Sequence, residues 1–255
     1  MAVFRSLLLL LLVTSCAAAE EPRWPDERSA GPFQVHADFS LADSETLLGE
    51  LAALQRDLET TLGLKVGREP IHLFLFQEKA TYQAYLQRYF PKVPNRRALF
   101  IKGRGPGMVF AHRGEDFEID VRHESTHALL HTAVVNPPLW LDEGLAEYFE
   151  MPRSQRSTGS PHAKTIRSLA EVGALPRLDE LEKIHDLHDL GREEYRDAWA
   201  WIRFCLHGPP EAADELRRYL QESAAKADPG PFGRRLRGRV PDLDRQALRQ
   251  FQTLR

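Results

Sequence analysis

A chain of 255 residues, 42% hydrophobic and 28% charged, has the make-up of a soluble globular protein with one domain and room for a helical extension. Its formal net charge of −3 gives it no general attraction for nucleic acid, and it carries no internal repeat. With two cysteines, Cys16 and Cys205, it is not a disulfide scaffold, so stability has to come from a hydrophobic core.

The elements follow in chain order. Arg5 precedes the apolar run LLLLLLV at residues 7–13, which is too short to span a bilayer comfortably and reads as a signal segment over residues 1–16. The run ends in VTSC followed by AAA. Small residues before a cysteine resemble the bacterial lipobox, which makes Cys16 the lipidation site and anchors the chain to a membrane of the cell envelope. An ordinary secretory signal cut near Ala19 is the alternative; both readings export the protein. Residues 17–32, rich in proline and charge, read as a tether. FQVHADF at 33–39 alternates as a strand does, and Asp43 or Ser44 is placed to cap a helix reaching Leu62. IHLFLF at 71–76 is an apolar strand, residues 77–90 a tyrosine-rich helix, and ALFI and MVFAH, flanking KGRGPG, an antiparallel pair. Beyond Asp116 the pattern is helical, broken by loops at residues 152–160 and 208–210. Strands early and helices late predict an α+β domain over residues 33–230, with residues 231–255 as a basic helical tail whose arginines form a solvated face or meet an anionic partner.

The chemistry concentrates at HESTH, residues 123–127. On a helix, residues four apart share a face, so His123 and His127 can direct their rings at one metal ion. Glu124 is placed not to bind the metal but to take the proton of an activated water and pass it to a leaving amine. Alone this pentapeptide is weak. Twelve residues beyond His127, however, begins LWLDEGLAEYFE, after a Pro137–Pro138 break that lets a second helix fold back. Glu143 there is the candidate third ligand. Glu147, one turn on, is the candidate acceptor for a ligand histidine's other ring nitrogen. His131 continues the histidine face and reads as a packing or supporting residue. His162, His185 and His188 read as surface residues, and Cys205 as a buried, inert thiol.

HESTH followed by WLDEGLAEYFE resembles the gluzincin zinc metallopeptidases of the peptidase MA-like group, in its compact bacterial members rather than the large aminopeptidases; no GAMEN-like stretch is present. The likeness covers residues 33–205 in order of elements, with specific motifs only between His123 and Glu150. It implies a small mixed sheet before the HExxH helix, one zinc ion on His123, His127 and Glu143, Glu124 as general base, and a peptide or protein substrate pairing with a sheet edge. MVFAH is the segment assigned to that edge. EEYRDAWAW, residues 193–201, resembles the helix that follows the third ligand in several such families and makes Tyr195 the candidate donor to the oxyanion. Three other readings compete: a metal-bearing peptide- or partner-binding protein of the envelope without turnover, a structural zinc site, and a two-histidine, one-carboxylate iron site.

Overall fold

The structure, a computed structural model, describes residues 24–103 and 105–254. The signal segment, Cys16 and the lipidation reading lie outside the described residues.

The fold is α+β: a five-stranded mixed sheet followed by a helical half. Strands β1 (Asp26–Ala30), β2 (Phe33–Ala37), β3 (Ile71–Phe76), β4 (Ala98–Ile101) and β5 (Met108–His112) stand in the order β1-β2-β3-β5-β4. The β1–β2 and β4–β5 pairs are antiparallel; β2–β3 and β3–β5 are parallel. Each parallel pair needs a long crossover, which α1 (Glu45–Leu62) and α2 (Lys79–Tyr89) provide. The period of two along a strand sorts the side chains. Leu73, Leu75, Val109 and Ala111 join the main core with α1, while Phe76, Leu99 and Phe110 join a second cluster with Tyr82 and Leu86 of α2. The sheet is therefore covered on both faces.

Behind β5 run α3 (Phe117–Ala133) and α4 (Leu139–Phe149), then α5 (Ala163–Glu171), the short α6 (Leu178–Leu181), α7 (Arg192–His207), α8 (Pro210–Ala224), α9 (Phe232–Arg239) and α10 (Leu243–Gln252). Helix α3 packs on β4, β5 and α4, and α4 lies closest against α7. Gly144 makes that approach possible: a Cβ there would fall 2.8 Å from the Ala198 carbonyl oxygen and 2.9 Å from Ile202 Cγ1.

Three expectations are corrected. Asp26–Ala30, inside the expected tether, is a strand, because Asp26 to Ala30 pair in register with Ala37 to Phe33. The expected tail is part of the core. Phe232, Leu236, Leu243, Ala247 and Phe251 are buried, and its arginines form internal ion pairs: Arg235 with Glu215 and Glu222, Arg237 with Asp179. And MVFAH is no edge. Strand β5 is bonded on both sides, leaving β4 as the outer strand beside α3.

Candidate metal centre

Helix α3 carries His123, Glu124 and His127, and its last turn ends at Val134 in extended backbone. Asn136, at φ 54°, and the two prolines turn the chain, and the Pro138 carbonyl accepts from Leu141 and Asp142 to start α4. This places Glu143 opposite the two histidines. Nε2 of His123 and Nε2 of His127 face each other at 3.1 Å, and Glu143 Oε2 lies 3.4 Å from the first and 3.5 Å from the second. A tetrahedral ion with bonds of about 2.05 Å requires ligand atoms about 3.3 Å apart. The three edges bracket that value, so the donor set fits a zinc-sized ion in both chemistry and spacing.

The outer nitrogens are held as well. His127 Nδ1 meets Asp142 Oδ1 at 2.8 Å, and His123 Nδ1 meets Glu150 Oε2 at 2.9 Å. A ring that gives its Nδ1 proton to a carboxylate keeps the Nε2 lone pair for a metal. Asp142 also receives His131 Nε2 at 2.8 Å, and the buried Arg122 donates through Nε to the Glu150 carbonyl while its Nη1 pairs with Glu50 at 2.8 Å.

The local charge is acidic. Burial works against ionised Glu143, yet His127 and His123 bring its carboxyl down to about 2. Burial likewise works against a charged His127, yet the carboxylates of Asp142 and Glu143 lift it to about 10. Without a metal, such a cluster favours protons on its rings, and a dication held there would have to displace them.

The cleft over this triad is about 430 Å³ and is lined by β4 residues Leu99 to Ile101, by Arg96 and by Glu124. Glu124 has no hydrogen bond or ion pair among the described residues, so its carboxylate is available to a water or a substrate. Tyr82 donates to the Arg96 carbonyl at 2.9 Å and fixes the start of β4 at the cleft mouth. Tyr195 lies in the first turn of α7. Burial raises its phenol above the usual value and the Glu143 carboxylate adds to that, while the charge and hydrogen bond of Arg96 and the charge of His123 work the other way.

The structure thus brings His123, His127, Glu143 and Glu124 together and puts Tyr195 near them. It moves the supporting role away from Glu147, whose Oε2 instead meets His162 Nε2 at 2.9 Å. His162 is consequently largely covered rather than a surface residue, while His185 and His188 are exposed. The two carboxylates that do meet the outer nitrogens of His127 and His123, Asp142 and Glu150, were not singled out from the sequence. Both lie in the same acidic stretch as Glu143, but only the crossing of α3 over α4 decides which carboxylate meets which ring. Cys205 is fully buried, and burial pushes its thiol well up.

The small mixed sheet followed by its helix pair is a zincin-like fold. A family model described as "Protein of unknown function (DUF1570)" matches residues 119–229, which span α3, α4 and α7. Among solved structures, the M1 zinc metallopeptidase from Deinococcus radiodurans is similar at 19% identity and a TM-score of 0.52, over 90% of this chain and 52% of that one. The chain spans about half the length of that metallopeptidase, and the likeness is one of fold. No curated protein matches.

Proposed function

We propose that this chain is a zinc-dependent peptidase of gluzincin type, exported and lipid-anchored through Cys16, that hydrolyses peptide bonds in the cleft between β4 and α3. The observation that carries the reading is the donor triangle of 3.1, 3.4 and 3.5 Å made by His123, His127 and Glu143. Zinc, when held there, polarises the scissile carbonyl and makes a bound water acidic enough to ionise near neutral pH.

The remaining steps belong to the chain's own residues. The outer edge of β4 takes the substrate backbone as an added strand, which aligns the scissile bond across the cleft. Glu124, one residue after a ligand and without a competing partner among the described residues, accepts the proton of the attacking water and delivers it to the departing amine. Tyr195 donates its phenolic proton in a hydrogen bond to the developing oxyanion; raised above its ordinary value, the phenol stays neutral at pH 7. Asp142 and Glu150 keep the ligand rings in the metal-binding tautomer.

The test is a peptide-library digest with wild type and Glu124→Gln. Cleavage by the wild type that falls by orders of magnitude in Glu124→Gln, at equal zinc content, supports the reading. Equal cleavage by both removes Glu124 from the mechanism, and a wild type that loads zinc but cuts nothing favours a binding protein.

A further inference from the structure

On the far side of α4 from the triad lies a second cavity of about 540 Å³. Tyr148 on its wall is five residues past Glu143, about 140° round the helix, so the pocket and the metal centre open on different faces. Helix α1 contributes Arg56 and Asp57, and the loop after α4 contributes Arg153 and Arg156. Three guanidinium groups and one carboxylate thus line the cavity, a local excess of two positive charges on a chain whose net charge is −3.

The cations are only partly engaged. Arg156 is buried, and its Nη1 pairs with Asp57 Oδ2 at 2.6 Å while its Nε reaches the Met151 carbonyl at 3.3 Å. Its Nη2 has no partner among the described residues. Arg153 has one contact with Asp57, at 3.5 Å, and is otherwise in solvent; Arg56 has no hydrogen bond or ion pair among the described residues. Nothing acidic other than Asp57 lines the cavity. At its wall the Tyr148 hydroxyl and His207 Nε2 are 2.8 Å apart, and burial together with the charge of Arg203 favours a neutral His207. The hydroxyls of Thr60, Thr61 and Ser157 complete the lining.

We propose that this pocket binds the phosphate group of a small phosphorylated molecule. A phosphate monoester dianion matches the excess of two charges. Planar guanidinium groups meet its oxygens in paired hydrogen bonds, the buried Arg156 being held in place for this by Asp57 and by the face of Phe149, 4.9 Å away. A concave wall of one sign focuses the field on such a ligand. The volume is that of ordinary small-molecule sites and leaves space for a body beyond the phosphate.

Glycerol phosphate titrated into the purified protein, followed by ³¹P NMR, tests this. The expected result is saturable binding to one site per chain with Kd below about 1 mM at low ionic strength, weakened at least 10-fold in the Arg56→Ala/Arg153→Ala double variant. Both side chains are exposed, so the variant should melt as wild type does. Displacement of glycerol phosphate by phosphatidic acid vesicles, whose headgroup is itself a phosphate monoester, but not by phosphatidylcholine vesicles, would assign the group to a lipid headgroup; no displacement assigns it to a soluble ester. Absence of binding at 10 mM (about tenfold above the expected constant) overturns the proposal. Binding of equal strength in the double variant does so too, since it would place the anion elsewhere, the metal centre included.

Discussion

Replacing Asp142 by Asn tests how far the metal centre depends on its supporting carboxylates. Asp142 receives two ring nitrogens at 2.8 Å, one from the proposed ligand His127 and one from His131, in a buried setting. Asn keeps an oxygen for His127 and turns an amide toward His131, so shape and packing are retained while the charge is lost. A charge-assisted hydrogen bond is roughly twice as strong as a neutral one. Loss of a supporting partner of this kind lowers metal affinity by about 10- to 100-fold, or about 1.4–2.7 kcal/mol. Asp142→Asn should fall near the lower end and Asp142→Ala, which removes both contacts, near the upper. A zinc titration against a chelator of known affinity, with melting temperature recorded in parallel, reads both. A zinc Kd within twofold of wild type in both variants would refute the reasoning, because it would mean that the ring of His127 needs no anchor.

Glu150→Gln should weaken zinc by a similar factor, whereas Glu147→Gln should leave it within about twofold, since its partner is His162 and not a ligand; the same titration separates them. Tyr195→Phe should keep zinc and fold but lower kcat by about 10- to 1000-fold; wild-type turnover would return Tyr195 to packing. The hydrogen bond from Arg237 is the main cause of Asp179 titrating below 3.8, so the stability it lends is present above that pH and fades as pH falls through the lower folded value. The gap in melting temperature between wild type and Asp179→Asn should therefore be largest near neutrality and close as pH falls below 3.8 and through the lowered folded value. Cys16→Ser should release the protein from the membrane fraction; unchanged processing with a mature start near Glu20 would indicate an ordinary secretory signal.

What was legible in the sequence was what is local. The apolar run IHLFLF and the segment MVFAH after KGRGPG mark β3 and β5 at the observed bounds, and the leucines of α1, from Leu47 to Leu62, are all buried. The triad was legible because two of its members share one helix face and the third follows a proline break. Non-local pairing was not. Nothing in MVFAH tells that β3 and β4 flank it, so the edge was assigned to the wrong strand. Spacing alone could not rank Asp142, Glu147 and Glu150 as partners for the rings: the four-residue rule picks Glu147, and the helix crossing picks the other two. The segment FGRRLRGRV reads as solvated by its arginine content. Phe232, Leu236 and Val240, however, recur every four residues on a buried face, and the acids that neutralise Arg235 and Arg237 lie 13 to 58 positions away.

The central claim is that His123, His127 and Glu143 hold a single zinc ion. Elemental analysis of protein purified without added metal addresses it most directly. The account predicts about one zinc per chain. Iron at that level without zinc, or no metal at all, would contradict it.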